Sequence, residues 1–213
     1  INCVGLLVQD SIDRPDRAII LNSWLPLYLE HEFKNTDVRI IHISTDCIFN
    51  GMVGSYAESD APTESNSYGM SKAIGELSND KDITFRTSII GPEISDGGTG
   101  LFDWFLKKSG HRVNGWDNAF WSGVTTLELA KCINKWIEDP IFYGRYHLTN
   151  NKKISKYELL EMINKTFEAN KIVMQVKGPK SSDKSLIDTR GNTIFSVNEY
   201  QQQLIELKKF MEI

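Results

Sequence analysis

Apolar residues recur along the chain with two spacings, and the alternation between them sets the first expectations. Residues 1–8 (INCVGLLV) form a nearly continuous apolar run, the pattern of a parallel strand buried on both faces. Over residues 15–33, Ile19, Ile20, Trp24, Leu25, Leu27, Tyr28 and Leu29 recur at near-helical spacing despite Pro26. The spacing predicts one helix, kinked at the proline. Ile40, Ile41 and Ile43 give a short β-branched strand over residues 39–43 that stops where Ser44, Thr45 and Asp46 take over. A helical spacing follows from Tyr68 through Leu77, with Gly69, Ala73 and Gly75 small enough for close packing. Residues 83–90 (ITFRTSII) make the next strand, ended by Gly91 and Pro92. Strand, helix, strand, helix, strand is the order of a doubly wound parallel α/β sheet.

Beyond residue 100 the character changes: Trp104, Trp116 and Trp121 lie in a segment of short apolar groups mixed with Gly and Asn. Thr125 and Glu128 have capping-box spacing ahead of a helix through Trp136 and Ile137, which Asp139 and Pro140 end. Tyr146, His147 and Leu148 suggest a short strand, Ser155 and Glu158 cap a helix through Phe167, and residues 172–176 alternate like a strand. Residues 198–211 read as a closing helix with Tyr200, Leu204, Leu207 and Met211 on one side. The spacing has no repeats. Two parts are expected, a sheet-and-helix part over residues 1–92 and a smaller α/β part over residues 93–213.

Candidate chemistry sits between the second strand and the helix after it. On a helix, Tyr68 and Lys72 are four residues apart and share a face. A phenol ionises near pH 10 and exchanges protons poorly at neutral pH, but a neighbouring ammonium favours the phenolate. A Tyr so tuned gives a proton to a carbonyl oxygen as hydride reaches the carbon, or removes one in reverse. Thr45, at the carboxyl end of a strand where α/β sheets bind ligands, is placed to hold the same oxygen. The Tyr-x-x-x-Lys spacing alone is weak evidence; its place in an ordered set of strand, Ser-Thr-Asp and Tyr-Gly-x-Ser-Lys gives it weight.

Composition narrows the partners. A formal charge of -4 and a pI near 5.6 leave no concentrated basic surface for nucleic acid. Cys3, Cys47 and Cys132 are odd in number, widely spaced and apolar in setting, so they read as small buried thiols in a reducing cytoplasm. The four His lack paired metal-ligand spacing, so no metal is expected. No apolar run has the length of a membrane span, and the first residues lack a signal peptide's pattern.

The ordered set resembles the extended short-chain dehydrogenase/reductases. It is most similar to the dTDP-4-dehydrorhamnose reductase family of sugar-nucleotide reductases, through Ser44-Thr45-Asp46-x-x-Phe49-x-Gly51, Tyr56-x-Glu58-x-Asp60-x-Pro62 and Tyr68-Gly69-x-Ser71-Lys72. The resemblance implies a Rossmann-like sheet with a smaller substrate-binding part, NADPH or NADH as cofactor, and a nucleoside-diphosphate sugar as substrate. It assigns catalysis to Thr45, Tyr68 and Lys72, with Lys72 also on the cofactor ribose. It lines the cofactor with Cys3, Val4, Gly5, Tyr68, Lys72, Ser88 and Ile89, and the substrate with Asp46, Trp104 and Trp121. Asn22 stands where the family has an Asn, either fixing a water or backbone turn near the site or lying exposed. A homodimer is compatible with it.

One hallmark is missing. The family holds the pyrophosphate at a Gly-x-x-Gly-x-x-Gly turn, and neither Gly51 with Gly54 nor the cluster Gly97, Gly98 and Gly100 forms one. The stretch from Ser95 to Gly100 reads as a mobile loop near the substrate. At about thirty residues per βαβ unit, on the order of 60 to 80 residues should precede Ile1, unless the chain has lost its dinucleotide grip. Four functions stay open. They are reduction of a 4-keto deoxysugar for deoxysugar and surface polysaccharide synthesis, epimerisation or dehydration on the same scaffold, a non-catalytic regulatory or nucleotide-binding subunit, and a plain structural module. Cys47 where dehydratases carry Glu counts against dehydration.

Overall fold

In the computed structural model, residues 1–94, 100–140, 142–190 and 196–212 are described, apart from the side chain of Lys108. The first half runs through helix α1 (Val8–Asp13), a long helical stretch built of α2 (Pro15–Ala18), a π segment (Ile19–Trp24) and α3 (Leu25–Phe33), strand β1 (Ile41–Ile43), α4 (Ser67–Ile74), β2 (Ile83–Arg86) and β3 (Ile89–Ile90). The second half adds α5 (Leu101–Asp103), β4 (Arg112–Trp116), β5 (Ala119–Trp121), β6 (Val124–Thr125), α6 (Thr126–Glu138), β7 (Gly144–His147), β8 (Ile154–Ser155), α7 (Lys156–Thr166), β9 (Ile172–Val176), β10 (Ser182–Asp183) and α8 (Tyr200–Met211). The central sheet has the order β1-β2-β7, all parallel, in the register Ile43↔Phe85↔Tyr146. An α/β fold with a parallel sheet is therefore present, as the strand-helix alternation predicts.

Strand residues alternate between faces, and one face of this sheet is apolar. Ile41, Ile43, Ile83, Phe85 and Tyr146 form a buried cluster with Leu129, Ile133 and Trp136 of α6. Burial of each large side chain there contributes about 1.5–3 kcal/mol. A second cluster joins Phe102, Phe105, Val113, Trp121, Leu159, Ile163 and Leu204 around α7 and α8. Ser155 and Glu158 close a full capping box on α7. At α6, Thr125 accepts from the Glu128 amide, while the Glu128 carboxylate turns to the Asn198 amide at 2.8 Å.

Of the three cysteines expected to be buried only Cys132 is, Cys47 being half-buried and Cys3 exposed, and three expectations about the elements also need correction. The run over residues 1–8 is not a strand: pairing is one parallel bridge from Asn2 to His42. Side chains capture the amides a ladder would use, Val4 N donating to Asn2 Oδ1 at 3.1 Å and Leu6 N to Asn22 Oδ1 at 2.8 Å. The helix over residues 15–33 meets Pro26 with the π segment, which leaves the proline at the start of α3, where a missing N–H costs nothing. Gly75 packs against that wider turn, and a Cβ there would come within 2.0 Å of the Asn22 carbonyl oxygen. The strand over residues 83–90 divides at Thr87 and Ser88: β2 stays in the central sheet, whereas β3 pairs with β6.

Candidate active site

The site forms where β1 ends beside the first turn of α4. Thr45 caps a short 3₁₀ turn (Asp46–Ile48), its Oγ1 accepting from Cys47 N at 3.1 Å and donating to Asp46 Oδ1 at 3.2 Å. Asn66 caps α4 by accepting from Gly69 N at 2.9 Å, which sets Tyr68 in the first turn and Lys72 one turn on. The helix approaches the Thr45 turn so closely that a Cβ on Gly69 would lie 2.5 Å from the Cys47 carbonyl oxygen. Glycine is what lets Tyr68 reach Thr45.

A cavity of about 410 Å³ opens at this junction. Thr45, Asp46, Tyr68 and Lys72 line it together with Cys3, Val4, Gly5, Ser88 and Ile89, so nine residues named from the sequence meet at one place. Trp104 and Trp121 stand apart. Trp104 borders a separate groove with Arg112, Trp116 and Met174, and Trp121 is 6% exposed, packed in the second core with its ring 5.3 Å from that of Tyr200. Of the loop expected near the substrate, residues 95–99 lie outside the described residues; Gly100 and Glu93 line the cavity, joined by a hydrogen bond from the Gly100 amide to the Glu93 carboxylate.

Burial dominates the electrostatics. It pushes the Tyr68 phenol up to about 12, against a smaller downward pull from the Thr45 side chain. It pushes Lys72 down to about 8, with Glu76 the main group pulling back. Lys72 Nζ donates to the Ile43 carbonyl at 2.6 Å. The helical spacing suggests that the ammonium tunes the phenol, but the groups acting on Tyr68 besides burial are Thr45, Cys47 and Asp46. The reason is geometric: Lys72 points at the strand end. Burial also raises Asp46, opposed first by Cys47 and then by the Lys184 ammonium. The Cys47 thiol rises to about 12, chiefly by burial and then by the Asp46 charge.

Asn22 is fully buried and fixes backbone. Besides accepting from Leu6 N, its amide donates to the Leu6 carbonyl at 3.3 Å and to Ser71 Oγ at 3.1 Å. The segment Cys3, Val4 and Gly5 is thereby pinned beside Lys72: a Cβ on Gly5 would lie 2.9 Å from Asn22 Oδ1 and 3.9 Å from Lys72 Nζ. Sequence reasoning did not assign Ser44, Glu76, Arg86 and His147. Ser44 Oγ donates to Glu76 Oε1 at 2.7 Å, and Arg86 grips both Glu76 oxygens at 2.8 and 2.7 Å. Part of their signal was present, since Arg86 is a polar member of a buried strand, whereas Glu76 lies beyond the Gly75 cap of α4, where helical spacing no longer places it.

Comparison with known proteins adds the family. A dTDP-4-dehydrorhamnose reductase from Clostridium acetobutylicum superposes with a TM-score of 0.83 over 99% of this chain and 80% of its own, at 22% identity. The same enzyme from Bacillus anthracis, solved in complex with NADP, gives 0.82 over 99% and 79% at 23% identity. At that identity these likenesses carry the fold. Methionine adenosyltransferase 2 subunit beta from Xenopus tropicalis is 26% identical over 173 residues, 75% of this chain and 51% of that protein. The chain thus spans about half the length of the curated relatives it matches. Residues 8–210 match the model of the RmlD substrate binding domain, and the chain belongs to that family.

Proposed function

We propose that this chain carries the catalytic and substrate-binding residues of an NAD(P)H-dependent reductase. Its substrate is a 4-keto deoxysugar linked to a nucleoside diphosphate, as in dTDP-4-dehydrorhamnose reductases, for deoxysugar and surface polysaccharide synthesis. The observation that carries the reading is the meeting of Thr45, Tyr68 and Lys72 in one cavity with the pinned backbone of Cys3, Val4 and Gly5. That backbone suits the flat nicotinamide end of the cofactor, because Gly5 presents no side chain beside the Lys72 ammonium. When bound, the nicotinamide supplies hydride. Lys72 would hold the hydroxyls of the cofactor's nicotinamide ribose, and Ser88 and Ile89, which line the same cavity, would border it at the strand break.

The chain's own residues handle the proton. A phenol held up at about 12 keeps its hydrogen at neutral pH, and a keto oxygen becoming an alkoxide is a stronger base than a phenolate, so Tyr68 donates. Thr45 Oγ1 is fixed by the Cys47 amide while its hydrogen points to Asp46; turning that hydrogen lets it hold the keto oxygen. Asp46 then meets the sugar. Cys47, with its thiol up at about 12, is no base for dehydration. A homodimer through the exposed apolar Ile20, Trp24, Leu27 and Ile74 accompanies the reading, as does a cytosolic setting for the free thiols Cys3, Cys47 and Cys132. Sedimentation analysis of the full-length protein tests the dimer.

The second reading, a non-catalytic subunit, is favoured by the likeness to a protein named as a subunit beta. An assay of cofactor oxidation by the full-length protein, with a panel of nucleotide-linked 4-keto sugars, separates the two. Turnover is expected, and Tyr68→Phe should cut kcat by about 10² to 10⁴ while leaving sugar-nucleotide binding nearly intact. Binding without turnover in the wild type would hand the protein to the subunit reading.

A further inference from the structure

The loop that joins Thr45 to Tyr68 is gripped by a strap from the second half of the chain, residues 182–190. The Asp183 amide donates to the Gly51 carbonyl at 2.8 Å, the Tyr56 amide to the Ser185 carbonyl at 2.8 Å, and the Ile187 amide to the Tyr56 carbonyl at 2.9 Å. Two carboxylates of the loop reach the strap as well. Glu58 Oε2 accepts from the amide and hydroxyl of Thr189 at 3.1 and 2.7 Å, while its Oε1 accepts from the His147 amide at 3.1 Å, so Glu58 ties the strap to the central sheet. Glu64 leads elsewhere. Its Oε2 accepts from the Lys184 ammonium at 3.1 Å, and its other oxygen turns toward the start of α4.

Glu64 Oε1 accepts from the amides of Ser65 at 2.9 Å and Asn66 at 3.4 Å, and Asn66 is the residue that caps α4 by accepting from the Gly69 amide. The Glu64 stem lies across the first turn of that helix: a Cβ on Gly69 would come within 2.4 Å of Glu64 Cγ. Its own amide donates to the Ile48 carbonyl at 2.9 Å, at the end of the turn that Thr45 caps. A single side chain thus bridges the Thr45 turn, the cap of α4 and the strap. We propose that Lys184 is a positioning residue for Tyr68, acting through Glu64 and Asn66 to set the first turn of α4 against the Thr45 turn. The inference rests on the reductase reading for its consequence in catalysis, and the contacts that carry it stand without that reading. The Glu64 and Lys184 side chains are 15% and 22% exposed, and a partly exposed pair contributes little to overall stability. Its charge-assisted hydrogen bond fixes direction, so its loss is read at Tyr68 before it is read in unfolding.

Two measurements on the full-length protein test it. Hydrogen exchange followed by NMR reads the Gly69 amide, whose acceptor is Asn66 Oδ1, with the Glu128 amide under the Thr125 cap of α6 as control. Lys184→Met should speed exchange at Gly69 by about two- to fivefold and leave Glu128 unchanged, and Lys184→Arg, which keeps a charged donor, should restore the wild-type rate. With NAD(P)H and a nucleotide-linked 4-keto sugar, Lys184→Met should lower kcat by about tenfold, since small displacements of a reacting group are costly. KM for both should stay near wild type, and Lys184→Arg should recover kcat. Should Lys184→Met fail to fold, Lys184→Gln, which keeps one donor without the charge, takes its place and must fall between methionine's expected loss and arginine's recovery. Unchanged exchange at Gly69, or equal acceleration at Gly69 and Glu128, would overturn the proposal. So would a raised KM for the sugar nucleotide at unchanged kcat, the mark of a lysine that touches substrate. No substrate enters the exchange measurement, so its failure is distinct from a failed reductase assay.

Discussion

The two faces of the central sheet are built from the same strands and buried to the same depth, yet they are held by different physics. Toward α6 stand Ile41, Ile43, Ile83, Phe85 and Tyr146, a surface stabilised by area removed from water. Toward α4 stand His42, Thr84, Arg86 and His147, each no more than 3% exposed and each hydrogen-bonded. Thr84 Oγ1 donates to the Leu77 carbonyl at 3.1 Å and accepts from the Leu77 amide at 3.0 Å. His147 faces the Ile187 carbonyl with Nδ1 at 3.0 Å, which requires a hydrogen there and leaves Nε2 to accept from Arg86. Apolar packing tolerates small slides, whereas hydrogen bonds fix direction. The sheet presents its directional face to the helix that brings Tyr68 and Lys72 to the cavity.

The sharpest way to break this contrast is to strand one member of the polar face. Arg86→Met leaves the Glu76 carboxylate buried without its partner, a loss expected to cost about 3–5 kcal/mol in urea unfolding of the full-length protein. The paired change Glu76→Leu with Arg86→Met should recover most of that stability, since isosteric apolar replacement of a buried ion pair is often near neutral. Equal losses from the single and paired changes would mean that the face depends on shape and not on charge pairing.

This division was half legible in the sequence. The runs IIHIS over residues 40–44 and ITFR over residues 83–86 carry both faces at once, apolar at one parity and polar at the other, but β-branched strength alone reads only the first. The grouping of Thr45, Tyr68 and Lys72 around one cavity was legible because Thr45 sits at a strand end and Tyr68 and Lys72 are local on one helix. What escaped needed partners distant in sequence. Asn22 reaches back sixteen residues to hold Leu6, so an apolar run with strand character becomes pinned loop. The π segment answers both Pro26 and the close approach of Gly75, and nothing local encodes that approach. Trp121 carries the signature of an exposed aromatic near a ligand, but Tyr200, seventy-nine positions on, buries it.

A smaller effect sharpens the comparison through pH. Burial, then the Lys72 charge, lowers His42 to about 3 from its ordinary 6.5, and among the described residues its Nε2 has no partner. The folded state therefore resists a proton that the unfolded chain accepts. The stability from a neutral His42 is complete above pH 6.5 and drains away as pH falls toward 3, by at most about 1.4 kcal/mol per pH unit for one proton. His42→Gln should flatten the stability curve across that window. An equally steep curve in the variant would assign the acid loss to other groups.

The smallest expected effect comes from the apolar face, one residue away on the same strand. Ile41 is 2% exposed, pairs in register with Ile83 and packs in the cluster with Leu129 and Ile133 of α6. Ile41→Val deletes one methylene and should cost about 0.5–1.5 kcal/mol. Its neighbour His42 couples to Lys72, but Ile41 points the other way, and the lost contact carries no charge. Stability should fall by the same amount at every pH, and the Lys72 titration midpoint should not move. If that midpoint shifted, packing under α6 would be transmitted through the strand to the Lys72 side, and the two faces would have to be treated as one coupled unit.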